Sequence, residues 1–415
     1  MSAINPAIRP AISAAIRGGF ELSGGSWSPT SLFAASEVGV WYDPSDLSTM
    51  FQDAYGSTPV TADGQSVGLI LDKSKGLTLD SDLVTNGNFS NGTTGFTNVN
   101  GNTSGSSVIS GEFNVVCGGG GSGGFTQDIT ITQGTTYKVT VTARKIAGSG
   151  YTRVQLYDGA SFTNFILQPV NINSVAGAVV YTAYVTPKLT STLRLYLYAD
   201  MSTTGGFDDI TVKALPGKHA TQDTAAKRPV YKTSGGLHWL QFDGVDDAMA
   251  TGIIDFSATD EMSVFAGVRK TSDSAQCIVA ELSATIASNN GSWALSAPVS
   301  AAANYDFSSK GTSAAANTVT TYTAPITNVI TGLADISGDS NIIRVNGAQV
   351  GSVATDQGAG NYGSAYPLYI GGRAGTSLFF SGNIYSLIVR NKVSTTGEIT
   401  SAESYVAGKS GVVLP

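Results

Sequence analysis

Two tyrosines spaced two residues apart could form one face of a strand. In the segment LRLYLYADM, Tyr196 and Tyr198 alternate with Leu195 and Leu197, and alternation places the tyrosines on one side and the leucines on the other. Aromatic rings with polar neighbours can stack on the apolar side of a sugar ring. Tyr184 is a third candidate, since it lies in the same tyrosine-rich region. The alternative is that the tyrosine face lies in the core.

The acidic residues do not favour glycoside hydrolysis, which needs two carboxylates a few ångströms apart. One strand can supply such a pair from glutamates four residues apart, but no two of the seven glutamates have that spacing. Asp243, Asp246 and Asp247 in FDGVDD are better explained as a strand ending in a tight turn. We predict no catalytic residues and no enzyme activity, with an aspartate pair from distant strands as the alternative.

Composition favours a β protein and limits its partners. Of 415 residues, 50 are glycine, 17 tyrosine and 16 phenylalanine, and 13% are charged, which is typical of short strands joined by turns. The formal charge of −7 argues against nucleic acid as a partner, because phosphate binding needs clustered Lys and Arg. We expect no membrane insertion and no signal peptide, and hence synthesis in the cytoplasm. The two cysteines, Cys117 and Cys277, are expected to be free.

Local patterns predict several elements. Period-two alternation recurs between residues 125 and 215 and again after residue 237, which indicates antiparallel strands. Asn346-Gly347 predicts a hairpin turn. The glycine run at residues 117–124 is interpreted as a flexible loop. A closing helix is expected, with Glu398 in its first turn and its end at Gly408.

The first residues differ from the rest of the chain. Isoleucines recur every four residues and would share one helical stripe, although two prolines oppose a helix before residue 10. A helix this short is not stable alone in water. We predict an anchor that docks on a larger assembly or forms a homo-oligomer, with packing on its own sandwich as the alternative. The anchor residues are Ile4, Ile8, Ile12 and Ile16.

One domain interrupted by another explains the order of the segments. Residues 41–74 end in a change of composition, and the same style resumes at residue 217 and continues into LHWLQFDGVDD. The sequence therefore predicts an N-terminal anchor segment at residues 1–35, a sandwich at residues 36–82 plus 216–415, and an inserted unit at residues 83–215.

These segments resemble known families. LQFDGVDD, IRVNGAQVG and PLYIGGR resemble the concanavalin A-like, laminin-G-like sandwich, while LVTNGNFSNGTTGF and GGFDDITVKAL resemble the two ends of jelly-roll carbohydrate-binding modules. The resemblance implies an all-β fold, in which a laminin-G-like β-sandwich is interrupted by a second, jelly-roll β-sandwich. WYDPSDLSTMFQD and FSATDEMSVFAGVRK are similar to segments of tailed-bacteriophage virion proteins of the fibre or appendage type.

The carbohydrate-binding family often holds a structural calcium ion between its first and last strands. By position, that resemblance implies Asp208 as a ligand, with Asn86 or Asn88 nearby. This chain has Ser90 where the family usually has an acidic residue, so calcium would be held weakly or not at all.

Together these features predict a non-enzymatic virion protein on the exposed surface of the particle. It would contact other virion proteins through its N-terminal segment and bind host surface polysaccharide weakly, with many copies acting together. One alternative is a purely structural capsid or tail decoration without glycan binding. The second is a polysaccharide depolymerase.

Overall fold

Strands dominate the structure, a computed structural model that describes residues 27–34, 36–99, 101–119 and 121–415. The predicted all-β class is confirmed. In these ranges no helix is long and apolar enough to cross a bilayer. The predicted anchor at Ile4, Ile8, Ile12 and Ile16 lies outside the described residues. Short 3-10 helices occur at Pro29–Leu32, Leu47–Thr49 and Ala225–Lys227.

Two antiparallel sheets form an outer sandwich, with strands numbered in chain order over the described residues. The helix-side sheet has the order β15 (Val230–Ser234), β16 (Leu237–Asp243), β27 (Ser381–Arg390), β18 (Glu261–Lys270), β23 (Ile326–Asp335), β24 (Ser340–Val345), β25 (Ala348–Val353), and β1 (Gly39–Tyr42) also pairs with β27. The insert-side sheet has the order β2 (Met50–Phe51), β3 (Leu69–Ile70), β14 (Ala220–Thr221), β17 (Met249–Ile254), β26 (Tyr366–Ile370), β19 (Ile278–Leu282), β20 (Ser292–Ser296), β21 (Asn304–Lys310), β22 (Ala314–Thr320).

The strands between residues 97 and 215 form a second sandwich, called the insert. Its aromatic sheet has the order β10 (Phe165–Ile172), β9 (Thr152–Asp158), β12 (Thr192–Asp200), β7 (Ser122–Thr130), β4 (Thr97–Asn98). Its junction sheet has the order β11 (Val179–Val185), β8 (Thr136–Ala147), β13 (Thr204–Leu215), β6 (Glu112–Val116), β5 (Ser107–Ile109). The predicted boundaries at residues 83 and 215 fall between these strands and those of the outer sandwich.

Strand β18 shows why both faces of the helix-side sheet are apolar. Met262 and Val264 point into the sandwich core, and Phe265 points to the opposite side. There it is covered by the helix α1 (Thr396–Ser410), whose Val406 belongs to the same apolar cluster. An outer sandwich with a helix on one face therefore buries two layers of side chains.

The ends of α1 show one success and one error of prediction. Glu398 lies in the first turn as expected, and together with Thr395, which caps that turn, it forms a capping box. The helix continues past Gly408 and ends at Gly411, whose φ of 69° is the left-handed geometry that favours glycine. Gly408, which the sequence predicted as the end of the helix, lies inside it, and Gly411 is the glycine that caps it.

Two other turn predictions also differ in outcome. Asn346 and Gly347 both have positive φ, 50° and 85°, and connect β24 to β25 as expected for a two-residue hairpin. The interpretation of residues 117–124 as a flexible loop is wrong at its end, because β7 begins at Ser122. Gly123 and Gly124 of this strand pair with β12. Cys117 and Cys277 are free and buried.

One buried carboxylate holds the two places where the chain passes between the sandwiches. The Asp72 carboxylate accepts backbone N–H bonds from Trp41, Ser74 and Lys218, each at 2.8 Å, and the Ser74 hydroxyl at 3.0 Å. Its own N–H donates to Nδ1 of His219 at 2.9 Å. The strand β1 and both crossing segments are thus joined through a single side chain.

The stability of this junction is expected to depend on pH through His219. Burial lowers the pKa of His219 to about 4, below the unfolded value of about 6.5. The folded state then binds fewer protons, so the stabilising contribution is complete above pH 6.5 and is lost as the pH falls towards 4. Burial acts oppositely on two carboxyls, raising the pKa of Asp72 to about 6 and, with Asp243 adding to it, that of Asp247 to about 7.

The contribution of His219 is therefore isolated by comparison with His219→Asn, whose amide oxygen occupies the position of the accepting Nδ1. The free energy of unfolding, measured with urea, should fall more for the wild type than for the variant as the pH falls from 7 to 4. The difference between the two falls should be about 3 kcal/mol at most. Parallel curves for the two proteins would show that His219 does not titrate in this window.

Candidate functional site

The outward face of β12 carries the two tyrosines that the sequence placed together. Leu195 and Leu197 are fully buried in the core of the insert, so Tyr196 and Tyr198 point away from it. The two tyrosine rings lie 5.4 Å apart at 70° to each other. Tyr198 is half-buried, whereas only 5% of Tyr196 is exposed. Other side chains must therefore cover Tyr196.

The neighbouring strand β9 adds polar groups to the same face. Arg153 lies opposite Tyr198 in the register, and Gln155 lies opposite Tyr196. The amide of Gln155 donates to Oε1 of Gln168 at 3.0 Å, while its own Oε1 accepts the Tyr157 hydroxyl at 3.1 Å. This places amides and a guanidinium beside aromatic rings.

The loop between β9 and β10 and the first residue of β10 supply the most exposed rings of this face. Phe162 packs over Tyr196 at 5.0 Å and against Tyr157 at 5.3 Å. Phe165 contacts Tyr157 edge-on at 5.6 Å. Phe162 is 45% exposed and Phe165 is 52% exposed. Phe162 is thus the side chain that covers Tyr196, and these phenylalanines present the rings that solvent reaches.

Arg153 connects the rest of the face. Its guanidinium lies 4.4 Å from the Tyr151 ring centre and 5.5 Å from that of Tyr198, and its Nε donates to Asn171 at 3.3 Å. A guanidinium at these distances is attracted to the faces of both rings. We call the whole set the aromatic surface, and it consists of Tyr151, Arg153, Tyr157, Phe162, Phe165, Tyr196 and Tyr198.

A glycine on β7 makes room for this surface. A Cβ atom at Gly124 would lie 2.5 Å from the Tyr196 ring and 2.2 Å from the carbonyl oxygen of Leu197. No side chain fits there unless both move. Gly124, part of the glycine run that suggested a loop, therefore lets the Tyr196 ring lie against β7.

A charged pair borders the surface on the β7 side. Arg194 forms a bidentate pair with Asp128 at 2.7 and 2.8 Å, and its guanidinium lies 4.8 Å from the Phe162 ring centre. Because the carboxylate already takes two of its N–H groups, Arg194 serves mainly to support Phe162.

Tyr184 does not belong to the aromatic surface, contrary to the prediction that grouped it with Tyr196 and Tyr198. It lies on β11 of the junction sheet and is 9% exposed. Its ring packs on Phe51 of the outer sandwich at 5.2 Å, and its N–H donates to the carbonyl of Tyr55 at 2.7 Å. Its role is to join the two sandwiches, because the outer sandwich covers the face it occupies.

The proposed calcium ligands do not line one common pocket. Asn88 lines a pocket of about 310 Å³, and the carboxylates in that lining belong to Asp82 and Asp209. Asp208 lies outside the lining and accepts the N–H of Asp209 at 2.8 Å. Burial, with Asp209 and Glu112 adding to it, raises the pKa of Asp208. Asp208 and Asn88 therefore do not line the same pocket, and calcium binding by this pair stays a prediction.

The described residues bring three acidic side chains together at Asp243, Asp246 and Asp247. Asp243 accepts the N–H of Val245 at 2.7 Å and Asp247 accepts that of Asp243 at 3.0 Å. These bonds hold the turn after β16, as the sequence interpretation expected. Elsewhere, Glu281 is fully buried and paired with Arg373 at 2.9 Å.

Comparison with known proteins gives likeness in shape only. No protein-family model matches the chain, and no curated protein matches it significantly. A solved structure named CBM4 is 18% identical over 32% of this chain and 99% of its own, with a TM-score of 0.28. The CBM40 of the Ruminococcus gnavus IT-sialidase, bound to α2,3-sialyllactose, is 18% identical over 40% and 98%, with a TM-score of 0.30. The binding domain of botulinum neurotoxin serotype G is 12% identical over 42% and 44%, with a TM-score of 0.34. The functional argument therefore rests on the geometry of the aromatic surface.

Proposed function

We propose that the protein binds polysaccharide through the aromatic surface and does so without catalysing a reaction. The observation that carries this proposal is the exposure of Phe162 and Phe165 beside half-buried Tyr198 and Arg153 on one face of the insert. Large aromatic side chains rarely stay exposed together on a monomer unless that patch binds something.

The polar groups of the surface match what a sugar requires. An aromatic ring packs against the C–H face of a pyranose, and the hydroxyls at the rim of the sugar need donors and acceptors. Such groups lie beside the rings: the amides of Gln155 and Gln168 provide donors and acceptors, and the guanidinium of Arg153 provides donors. The rings are held by contacts with one another, so little side-chain freedom is lost on binding.

We further propose that this binding attaches a virion to host surface polysaccharide, with other virion proteins as partners. The similarity of residues 41–53 and 256–270 to virion segments supports that role. Weak sites are sufficient where many copies act together. Purely structural decoration is the second candidate, and it is favoured if the aromatic surface binds no polysaccharide.

The test is binding of the full chain to immobilised bacterial polysaccharides, in calcium and in EDTA. Wild-type protein should bind at least one polysaccharide, and Tyr198→Ala should reduce that binding about tenfold, because the ring that faces the sugar is lost. Tyr198→Phe should stay within about threefold, since the ring remains. Absence of saturable binding in both conditions would reject the proposal in favour of structural decoration. Release of reducing ends would show a depolymerase instead.

A further inference from the structure

A cleft of about 910 Å³ lies between the insert and the outer sandwich. Its floor is the outward side of the insert-side sheet, where the register places Thr221, Ala250 and Tyr369 next to one another on three neighbouring strands. The opposite wall comes from the insert and includes Phe165 and Thr186. Ordinary ligand sites span about 300–1,000 Å³, so the cleft has the size of a binding site to which both sandwiches contribute.

Tyr369 presents a half-buried ring on the floor of the cleft. Met249 and Ile370 point into the core of the outer sandwich, so Ala250 and Tyr369, the residues next to them in sequence, point to the cleft. Among the described residues, Tyr369 makes no aromatic contact and no side-chain hydrogen bond. The small side chain of Ala250 leaves space beside the ring. A ring with open space next to it is an arrangement on which a sugar can stack.

The contact between the two sandwiches fixes the width of the cleft at one end. Tyr184 lines that end, its ring packs on Phe51 at 5.2 Å, and its N–H donates to the carbonyl of Tyr55 at 2.7 Å. Leu69, opposite Thr221 in the register, belongs to the same contact. The walls are therefore in place before a ligand arrives, which lowers the cost of binding.

Phe165 connects the cleft to the aromatic surface. Its ring contacts Tyr157 of that surface at 5.6 Å and also lines the cleft, while 52% of the side chain remains exposed. Phe162 contacts the same Tyr157 ring at 5.3 Å. These three rings form a continuous row that leads to the cleft. A chain molecule that stacks on Phe162 can therefore extend past Phe165 towards Tyr369.

The charges that line the cleft balance one another. The lining contains two lysines and two aspartates, Lys188, Lys218, Asp158 and Asp223. Burial lowers the pKa of the Lys218 ammonium group, and Asp72 and Asp255 act in the opposite direction. His219 also lines the cleft and is neutral at pH 7, because burial lowers its pKa to about 4. A charged ligand would therefore find no surplus of the opposite charge.

Hydroxyl groups from both sandwiches line the same space. The hydroxyls of Thr136 and Thr186 lie 2.8 Å apart on the insert side. Thr221 and Thr224 contribute hydroxyls from the outer sandwich. A hydroxyl can both donate and accept a hydrogen bond, which matches the hydroxyls of a sugar. Balanced charge, hydroxyl groups and an open ring together favour a neutral saccharide.

We propose that the cleft binds a neutral polysaccharide chain that continues from the aromatic surface past Phe165 and stacks on Tyr369. This rests on the proposed function and names the class of polysaccharide. The aromatic surface of the insert holds one part of the chain, and Tyr369 of the outer sandwich holds a later part. Affinity therefore depends on the length of the chain.

Chain length provides the first test, in which the full protein is titrated with disaccharides and hexasaccharides of glucose, mannose, galactose and xylose. For at least one sugar, the wild type should bind the hexasaccharide about tenfold more tightly than the disaccharide. Tyr369→Ala should weaken hexasaccharide binding about tenfold, because a stacking ring is lost, and should leave disaccharide binding unchanged. Tyr369→Phe keeps the ring and should stay within about threefold of the wild type.

Two variants of strand β17 distinguish a filled cleft from a damaged sheet. Ala250→Phe places a larger side chain beside Tyr369 and should weaken hexasaccharide binding as Tyr369→Ala does. Ile253→Ala is the matched control, because Ile253 is 55% exposed on the same strand and lies outside the lining of the cleft. It should leave binding unchanged. Thermal unfolding of each variant verifies that it is folded.

Charge provides the second test. Alginate and hyaluronate should bind no more tightly than their forms in which the carboxylates are reduced to alcohols. Raising the NaCl concentration tenfold should change hexasaccharide affinity by less than about twofold, because salt screens contacts between charges and not contacts with a neutral sugar.

The outcomes separate this inference from the proposed function. If Tyr369→Ala and Ala250→Phe bind the hexasaccharide as the wild type does, the cleft is not a site, although loss of binding in Phe162→Ala would still support the aromatic surface. If an acidic polysaccharide binds more tightly than its reduced form, the neutral class is wrong. If the wild type binds no saccharide, the proposed function and this inference both fail.

Discussion

Asp72→Ala is expected to lower the free energy of unfolding by about 3 kcal/mol. The Asp72 side chain is fully buried, so water cannot replace it as the acceptor for the N–H groups of Trp41 and Lys218. Each buried donor left without an acceptor costs about 1–3 kcal/mol, partly offset because an ionised group no longer has to be buried. The loss should appear as a lower urea midpoint with an unchanged slope.

Two substitutions calibrate that result. Asp72→Asn keeps one carbonyl oxygen for the bonds from Trp41 and Ser74, and it should cost less than Asp72→Ala. Asp53→Ala is the matched control, because Asp53 accepts four bonds at 2.8 to 3.1 Å from the turn after it. Water can reach that turn, so about 1 kcal/mol is expected. Equal losses at Asp72 and Asp53 would mean that burial of the acceptor is not what stabilises the crossings.

Phe162→Ala is expected to weaken polysaccharide binding by more than tenfold. The substitution removes an exposed ring and also uncovers Tyr196, on which Phe162 packs at 5.0 Å. Loss of a stacking aromatic that a ligand buries costs about 1.5–3 kcal/mol, or tenfold to a hundredfold in affinity. Isothermal titration with the best polysaccharide fragment measures this directly.

Phe162→Tyr keeps the ring and should retain affinity within about twofold. Val180→Ala removes an exposed apolar side chain from the junction sheet, where Val180 is 65% exposed, and should leave binding unchanged. If Val180→Ala weakened binding as much as Phe162→Ala, the aromatic surface would not be the place where the ligand stacks.

The sequence predicted the directions of side chains along single strands well. Alternation in β12 was sufficient to place Leu195 and Leu197 on one face and Tyr196 and Tyr198 on the other, because the period of a strand is fixed by its backbone. It left open which of the two faces lies in the core. Asn346-Gly347 predicted its hairpin for an equally local reason, since both residues tolerate positive φ.

Predictions failed where the exposure of a strand face depends on whether another sheet packs on it. Tyr184 alternates as Tyr198 does, but the outer sandwich packs on its side of β11, and no local pattern records that contact. Phe162 and Phe165 were missed because they lie in and at the end of a loop, where aromatic residues show no periodicity. The available signal was their apolar character in the polar segment DGASFTNF. Gly124 was missed because a glycine run resembles a flexible loop until the ring it admits is known.

The most direct measurement is the crystal structure of the full chain soaked with an oligosaccharide that binds in solution. The account predicts a sugar ring stacked within about 4 Å of Phe162 or Tyr198, with its hydroxyls near Arg153 and Gln155. A sugar bound on another face of the protein, with the aromatic surface empty, would contradict it.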